Sequence, residues 1–145
     1  MTTVSKSVVV PYAQDLIYNL VNDIEKYPDF IDWCIEGKEI KRDETSVVAA
    51  LTFEFHGVSY TFTTKNKLSP SQRIDITLVD GPFKQLDGHW LFTPLSDEWS
   101  KITLELDFEF SFFGLSVLFE PVFMSMANHW VEAFCQRAKS LANED

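Results

Sequence analysis

Residues 116–142 read SVLFEPVFMSMANHWVEAFCQRAKSLA and form the only long segment of the chain with a sustained helical period. Large apolar residues recur there at intervals of three, four or seven, which places them on one helix face: Phe119, Phe123, Met126, Trp130, Phe134 and Leu141. At about 1.5 Å per residue the helix is roughly 35–40 Å long. We expect it to begin between Ser116 and Glu120, because Pro121 is tolerated near a helix start. Its wide apolar face needs a concave partner.

The middle of the chain supplies that partner. From about residue 33 to residue 110 the apolar period changes to two. The apolar residues of each segment share a face: Leu51, Phe53 and Phe55; Val58, Tyr60 and Phe62; Ile74, Ile76 and Leu78; Leu86, Trp90 and Phe92; Leu104, Leu106, Phe108 and Phe110. Strict alternation indicates an antiparallel sheet that is covered on one side only. We therefore expect one concave face to carry Phe53, Tyr60, Ile76, Trp90 and Phe108, with Glu105 and Asp107 on the opposite face.

The chain before this sheet predicts one strand and two short helices. Residues 3–10 are rich in valine, which favours a strand. Apolar residues at helical spacing over residues 13–24 predict an amphipathic helix, and residues 23–31 continue as a short second helix or a turn. Residues 35–41 are charged and mixed, which favours an edge strand. The whole order predicts an α+β fold in one domain, residues 1–145: a curved antiparallel meander wrapped around a long C-terminal helix.

Composition and charge exclude several classes of protein. The 145 residues carry a net charge of -10, which opposes broad electrostatic binding to nucleic acid. Thirteen phenylalanines imply either a large core or an apolar cavity, because phenylalanine is bulky and has no polar group. Cys34 and Cys135 are too few for a disulfide framework, and the N-terminus has no apolar signal core. We therefore expect a cytoplasmic protein, and no stretch of the sequence is long and apolar enough for a membrane span.

No pattern in the chain is typical of catalysis. The histidines fall on separate elements and lack the spacing of a metal motif: His56, His89 and His129. The nearest approach to paired carboxylates lies on the wet face of the last strand: Glu105, Asp107 and Glu109. A glycine-rich phosphate loop and a nucleophile elbow are both missing from the sequence. We predict a protein that is not an enzyme, with no catalytic residue, no metal and no cofactor.

Four motifs resemble one known family. The first comprises Val21, Asp23, Tyr27, Pro28, Phe30, Trp33 and Cys34. The second, which is the more specific, comprises Asp80, Gly81, Pro82, Phe83, Leu86, Gly88, Trp90 and Phe92. The third and fourth are Phe108-x-Phe110 and Ala133-Phe134-x-x-Arg137-Ala138. Together they resemble the coenzyme Q-binding proteins of the START-like (polyketide cyclase and lipid transport) superfamily, whose bacterial members are also named RatA, ribosome association toxins.

This resemblance implies a helix-grip fold with an apolar cavity between the sheet and the C-terminal helix. It implies a non-catalytic carrier or chaperone of ubiquinone, or of a related polyprenyl quinone or lipid, that supports cellular respiration. Such a carrier is expected to contact a membrane transiently, at the periphery of the inner membrane. It also implies an alternative: a toxin-like protein that binds the large ribosomal subunit and blocks subunit association. No DNA partner is expected.

We assign the ligand site to residues that face inward from the sheet and the helix: Phe53, Phe55, Tyr60, Phe62, Ile76, Trp90, Phe92, Leu106, Phe108, Phe119, Phe123, Met126 and Trp130. One continuous pocket is expected to be lined by Phe55, Phe62, Phe92, Leu106, Phe123, Met126 and Trp130. The alternative is that the same side chains interdigitate into a solid core, because protein interiors are close-packed. Arg137 is a candidate partner for an anionic headgroup, although a cation near a helix end is favoured anyway.

Residues 110–123 form the most apolar stretch of the chain and join the last strand to the long helix. Connections are normally polar and exposed, so this one needs an explanation. We expect either a cap at the end of the core or a flap that opens the pocket at a membrane. In the flap, Gly114 acts as the hinge, and Phe113 and Leu118 touch the membrane.

Overall fold

A computed structural model describes residues 2–55 and 57–142. Within these ranges nothing is assigned to the side chains of Phe55, Val58, Phe113, Leu115, Ser116, Leu118 and Ala142. In chain order the elements are β1 (Thr2–Val10), α1 (Gln14–Asn22), a 3-10 helix (Ile24–Asp29), β2 (Cys34–Arg42), β3 (Ser46–Phe55), β4 (Val58–Ser69), β5 (Arg73–Asp80), β6 (Phe83–Pro94), β7 (Ser100–Phe110) and α2 (Phe113–Ala142).

The described strands form one antiparallel sheet of seven, in the order β1-β7-β6-β5-β4-β3-β2. Strands β2 to β7 are therefore a meander, and β1 pairs with β7 at the far edge. Strand β2 is the other edge, as its mixed composition predicts. The curved sheet packs around α2. In the chain, the two short helices follow β1 and precede β2. The predicted α+β helix-grip fold is confirmed.

The alternation of apolar residues sets the register of the sheet. Along β7, buried residues alternate with more exposed ones from Ser100 to Phe110. Leu106 is buried, whereas Glu105 is exposed and Asp107 is half-buried on the opposite face. The remaining residues predicted for the concave face also turn toward the helical layer: Phe53, Tyr60, Ile76 and Trp90. The predicted register is confirmed, because a slip of one residue would have reversed every one of these positions.

The first helix ends where the sequence predicts. Helix α1 stops at Asn22, before Pro28, and the chain continues as the 3-10 helix with Pro28 inside it. The short helix is anchored by Tyr27, whose buried hydroxyl donates a hydrogen bond to the carbonyl oxygen of Val21. The Tyr27 ring meets the Phe134 ring edge to face, with centroids 5.2 Å apart. The segment is thereby fixed against α2.

Helix α2 begins at Phe113, earlier than the predicted start between Ser116 and Glu120. Only Ser111 and Phe112 separate it from β7, so most of residues 110–123 are helix and not a connection. Pro121 lies inside the helix. Contacts on both sides of this proline hold the helix together, because Phe119 packs on Tyr60 at 4.7 Å and Phe123 is buried. Tertiary packing therefore outweighs the local proline signal.

Because α2 begins at Phe113, Gly114 is part of the helix and not of a connecting segment that could act as a hinge. Gly114 lies in the first turn of α2, and an added Cβ there would meet no atom within 4 Å. The residues next to this turn that are described remain exposed, with Phe112 at 64% and Val117 at 58%. The predicted flap contacts of Phe113 and Leu118 concern side chains outside the described set. Over residues 2–55 and 57–142, no helix combines the length and the apolar character that crossing a membrane requires.

The turn between β2 and β3 contains a carboxylate that titrates abnormally. Asp43 Oδ1 accepts hydrogen bonds from the backbone N–H groups of Thr45 and Ser46, both at 2.8 Å. These bonds favour the charged form and lower the pKa of Asp43 from its ordinary value of 3.8.

We expect the contribution of Asp43 to stability to be present above its unfolded pKa and to disappear as pH falls through the lower folded pKa. Carbon-detected NMR titration should place the Asp43 midpoint below its ordinary value of 3.8. Asp43→Asn should flatten this part of the stability profile. A normal Asp43 midpoint would contradict the prediction.

Candidate functional site

Aromatic side chains fill most of the space between the sheet and α2. The ring of Phe123 lies at the centre of this cluster, and its centroid is 4.6–6.3 Å from those of Phe62, Phe83, Phe108, Phe110 and Trp130. Most of these pairs are edge to face, a geometry that contributes about 0.5–1.5 kcal/mol per pair beyond simple burial. These rings leave little empty space in the interior.

Among the described residues, two small cavities lie between the sheet and α2. The inner cavity has a volume of about 60 Å³ and is lined mainly by Ile31, Phe62, Ile76, Trp90, Leu106, Phe123 and Trp130. The end cavity has a volume of about 40 Å³ and is lined mainly by Phe53, Tyr60, Phe62, Phe119, Phe123 and Met126. Phe62 and Phe123 border both cavities. The continuous pocket expected from the sequence is therefore divided in this structure.

The structure places the predicted site residues in three groups. The inner cavity takes Phe62, Ile76, Trp90, Leu106, Phe123 and Trp130. The end cavity adds Phe53, Tyr60, Phe119 and Met126. Phe92 and Phe108 are fully buried but line neither cavity, so they belong to the solid part of the core. The side chain of Phe55 lies outside the described set. The assignment of these residues to a ligand remains a prediction.

A larger space lies outside the core, and we call it the outer groove. Its volume is about 390 Å³, within the range of roughly 300–1,000 Å³ that is usual for ligand sites. One wall is residues 30–33, which connect the 3-10 helix to β2. The other wall is the C-terminal half of α2: Met126, His129, Trp130, Glu132, Ala133, Gln136, Arg137 and Ser140.

One wall of the outer groove is a helix face, and the other is a turn of the chain. The α2 residues fall largely at spacings of three and four, so they form one face of the helix. The opposite wall turns sharply at Trp33, whose φ of 66° is the left-handed region that bulky residues rarely adopt. The N–H of Glu54 donates to the carbonyl oxygen of Trp33 at 2.9 Å and holds this turn against β3. Trp33 is 41% exposed at the groove.

Within the described residues, some charged side chains of the outer groove form ion pairs, and Arg137 does not. Glu132 accepts a hydrogen bond from Lys6 Nζ at 2.8 Å, which lowers the pKa of its carboxyl, and His129 Nδ1 lies 3.6 Å from it. The Arg137 guanidinium instead lies over the ring of Phe30, 5.6 Å from the centroid. No carboxylate within residues 2–55 or 57–142 pairs with Arg137. Its N–H groups are therefore the strongest donors of the groove.

The partition between the outer groove and the interior is one side chain thick. Ile31 and Trp130 line both the outer groove and the inner cavity, and Met126 lines both the outer groove and the end cavity. The Trp130 indole stacks on Phe53 with centroids 5.8 Å apart. Its Nε1 is buried and has no hydrogen-bond partner among the described residues. Such an unsatisfied donor costs about 1–3 kcal/mol.

The remaining polar groups of the described chain form no second site of this kind. No group of three or more metal-ligating residues occurs within residues 2–55 and 57–142. His89 Nε2 lies 3.5 Å from Glu105 on the outer face of the sheet, far in sequence from His129 on α2. His56 lies outside the described residues.

The thiol of Cys34 is predicted to be unreactive. It is buried, and burial raises its pKa to about 11 from an ordinary value of 9.0. At pH 8 the thiolate fraction falls by about 100-fold, and alkylation should slow by at least that factor because the thiolate is the nucleophile. Mass spectrometry after iodoacetamide treatment of Cys135→Ser protein measures Cys34 alone. Denaturant should restore the normal rate, and fast alkylation of the folded protein would refute the prediction.

Comparison with known proteins places this architecture in a family. The family described as polyketide cyclase / dehydrase and lipid transport matches residues 10–135. The ribosome association toxin RatA of Escherichia coli (strain K12) is 41% identical over 141 residues, which cover 97% of this chain and 89% of the toxin. The mitochondrial coenzyme Q-binding protein coq10 of Schizosaccharomyces pombe is 28% identical over 139 residues, which cover 90% of this chain and 83% of that protein.

A solved structure shows the same fold. The crystal structure of the Zhui aromatase/cyclase from Streptomyces sp. R1128 matches with a TM-score of 0.84 at 19% identity, over 95% of this chain and 93% of the cyclase. At that identity the likeness concerns the fold alone. The family match and the relatives confirm the resemblance carried by the four sequence motifs. The chain belongs to the START-like polyketide cyclase / dehydrase and lipid transport family, together with the ribosome association toxin RatA.

Proposed function

We propose that the protein binds a polyprenyl quinone, with ubiquinone as the first choice, between the sheet and α2, and carries it without catalysing its reaction. The observation that carries this proposal is the aromatic interior, which is largely apolar yet leaves two cavities that share Phe62 and Phe123. The family's description includes lipid transport, and the coq10 relative is named as a coenzyme Q-binding protein. Both are consistent with an apolar ligand.

The ligand must open the interior, because the two cavities are far smaller than a ligand site of about 300 Å³. The driving force is removal of the isoprenoid tail from water, at about 0.8 kcal/mol for each buried CH₂. A few prenyl units therefore offset the cost of moving several aromatic rings. A bound quinone would favour a more open arrangement of these rings over the closed one, by as much as it binds the open arrangement more tightly.

Two measurements test this proposal. Lipid extraction of natively purified protein, followed by mass spectrometry, should recover a quinone in near-stoichiometric amount. Transfer of ubiquinone between liposomes should accelerate in proportion to protein concentration, and heat-denatured protein is the control for non-specific apolar binding. Absence of an extracted quinone, together with no saturable binding of added quinone, would refute the carrier role.

The second candidate function is association with the large ribosomal subunit. It is favoured by one observation: a relative that is 41% identical over 97% of this chain is named a ribosome association toxin. The surface offers little to RNA phosphates, because 12 basic residues stand against 22 acidic ones. The nearest basic cluster, on β2, comprises Lys38, Lys41 and Arg42, and Arg42 already binds Glu39 and the carbonyl oxygen of Asn22.

We therefore expect any ribosome binding to depend only weakly on salt. Few phosphates can be neutralised, so the slope of log affinity against log salt concentration should be shallower than about -5. Co-sedimentation with purified large subunits over a series of salt concentrations measures this slope. A slope of about -5 or steeper would show that basic residues dominate the contact and would overturn the expectation.

A further inference from the structure

We propose that the outer groove holds the quinone ring, and that the prenyl tail passes between Ile31 and Trp130 into the interior. This inference rests on the proposed carrier function and adds to it a position and an orientation for the ligand. It divides the ligand between two environments, a polar-edged groove at the surface and an apolar interior behind it.

Size is the first argument. The outer groove has a volume of about 390 Å³ in the closed state, whereas the inner cavity has about 60 Å³. A substituted benzoquinone ring fits the groove without any rearrangement of the core. A flexible prenyl chain is narrow, so it can enter the interior one unit at a time as the aromatic side chains shift.

Chemistry is the second argument. A quinone ring is planar and carries only hydrogen-bond acceptors, so it needs aromatic faces and donors. The outer groove offers the rings of Phe30 and Trp33 and the donors of Gln136 and Arg137. Arg137 suits this task because its donors lie in one plane and stay charged.

The inner cavity is a poorer place for the ring. Its hydroxyl groups are already committed: Thr64 donates to Asn66 at 3.0 Å, and Tyr27 donates to the carbonyl oxygen of Val21. The rest of its lining is dominated by apolar side chains. The donors left in its lining are the Asn66 amide and the indole N–H groups of Trp90 and Trp130, and a space of about 60 Å³ is too small to hold a quinone ring beside them.

The partition between the outer groove and the inner cavity also supports this placement of the ligand. Ile31 and Trp130 touch both spaces, so displacement of these two side chains joins the outer groove to the inner cavity. Trp130 Nε1 is buried without a partner among the described residues, and this unsatisfied donor makes the closed position of the indole costly. A ligand carbonyl at the groove edge would give this donor an acceptor when the indole moves. Opening is thereby coupled to arrival of the ring.

The test uses the four tryptophans as position markers, labelled with 5-fluorotryptophan and assigned by single Trp→Phe replacements. Trp33 lines the outer groove, Trp130 the partition and Trp90 the inner cavity, while Trp99 lines none of the three spaces. The first probe is 2,3-dimethoxy-5,6-dimethyl-1,4-benzoquinone, a ring without a tail that has no free position for thiol addition. The second is the same ring with a decyl chain in place of one methyl group.

We expect the ring-only probe to shift the fluorine resonances of Trp33 and Trp130 and to leave Trp90 and Trp99 unchanged. The decyl probe should shift Trp90 as well. A shift of Trp90 with the ring-only probe, while Trp33 stays unchanged, would place the ring inside and overturn this inference but not the carrier function. Absence of a saturable shift with both probes, together with failure of lipid extraction, would refute both.

Variants of two cations on α2 test the role of Arg137. Arg137→Gln should weaken binding of the decyl quinone by about tenfold or more, since a hydrogen bond to a charged group is being removed. Lys139→Gln makes the same charge change on the same helix at an exposed position outside the groove, and should have no effect. Farnesol, which has a prenyl chain but no quinone ring, should bind the parent and Arg137→Gln equally. An equal loss for farnesol and quinone would make Arg137 structural and would overturn its assignment as a ring partner.

Discussion

Replacement of Gly88 by alanine is expected to lower the free energy of unfolding by about 3 kcal/mol or more. Gly88 lies in the middle of the sheet, opposite Ile76 of β5 and Leu106 of β7. A Cβ at this position would overlap the carbonyl oxygen of Glu105 and lie 2.9 Å from Cα of Leu106. Both are backbone atoms of β7, which is paired on both sides and cannot yield without separating β6 from β7.

Gly114→Ala is the matched control for this substitution. Gly114 is helical, and an added Cβ would meet nothing within 4 Å, so alanine there should stabilise the protein by up to about 1 kcal/mol. Urea denaturation of the two variants and the parent gives both free energies. A Gly88→Ala protein within about 1 kcal/mol of the parent would mean that β6 and β7 are less closely apposed than described.

Phe123→Ala is expected to destabilise the protein by about 3–5 kcal/mol and, at the same time, to create a binding site for small apolar molecules. Phe123 is buried among five aromatic rings and borders both interior cavities together with Phe62. Loss of its ring should join the two cavities into one apolar space. Such a space stays dry and gains free energy when an apolar molecule fills it.

Phe134→Ala is the control for the effect of simple core truncation. Phe134 is equally buried but borders the inner cavity alone. Both variants should melt at lower temperature than the parent, but saturating naphthalene should raise the melting temperature of Phe123→Ala by the larger amount. Equal responses from the two variants, or none from Phe123→Ala, would show that the two cavities are not separated by Phe123.

The parts of the fold that follow from short-range patterns could be predicted from the sequence. Alternation along β7 predicted which of Leu106 and Asp107 is buried, because a strand's side chains alternate by geometry alone. The start of α2 was predicted wrongly, because Pro121 was interpreted as a local signal while contacts of Phe119 and Phe123 hold the helix through it. Packing between distant segments is not visible in a local pattern.

The candidate site was harder to predict from local patterns than the fold. Periodicity identifies which side chains face inward, but not whether they leave space, so the divided interior around Phe62 and Phe123 could not be predicted. The outer groove joins residues 30–33 to α2, about a hundred residues later in the chain, and no spacing encodes that proximity. Arg137 of the groove was singled out from the sequence, as a candidate partner for an anionic headgroup.

The pairing of β1 with β7 has a consequence for how the chain acquires its structure. Val10 lies opposite Ser100, and Thr2 lies opposite Phe108, so the partners are roughly a hundred residues apart along the chain. The hairpins of the β2–β7 meander can form locally. In contrast, β1 can pair only after β7 has been synthesised, near the end of the chain. Until then its backbone hydrogen-bonding groups face solvent, a state in which another chain's strand can compete for them. The seven-stranded sheet can therefore be completed only after β7 has emerged from the ribosome.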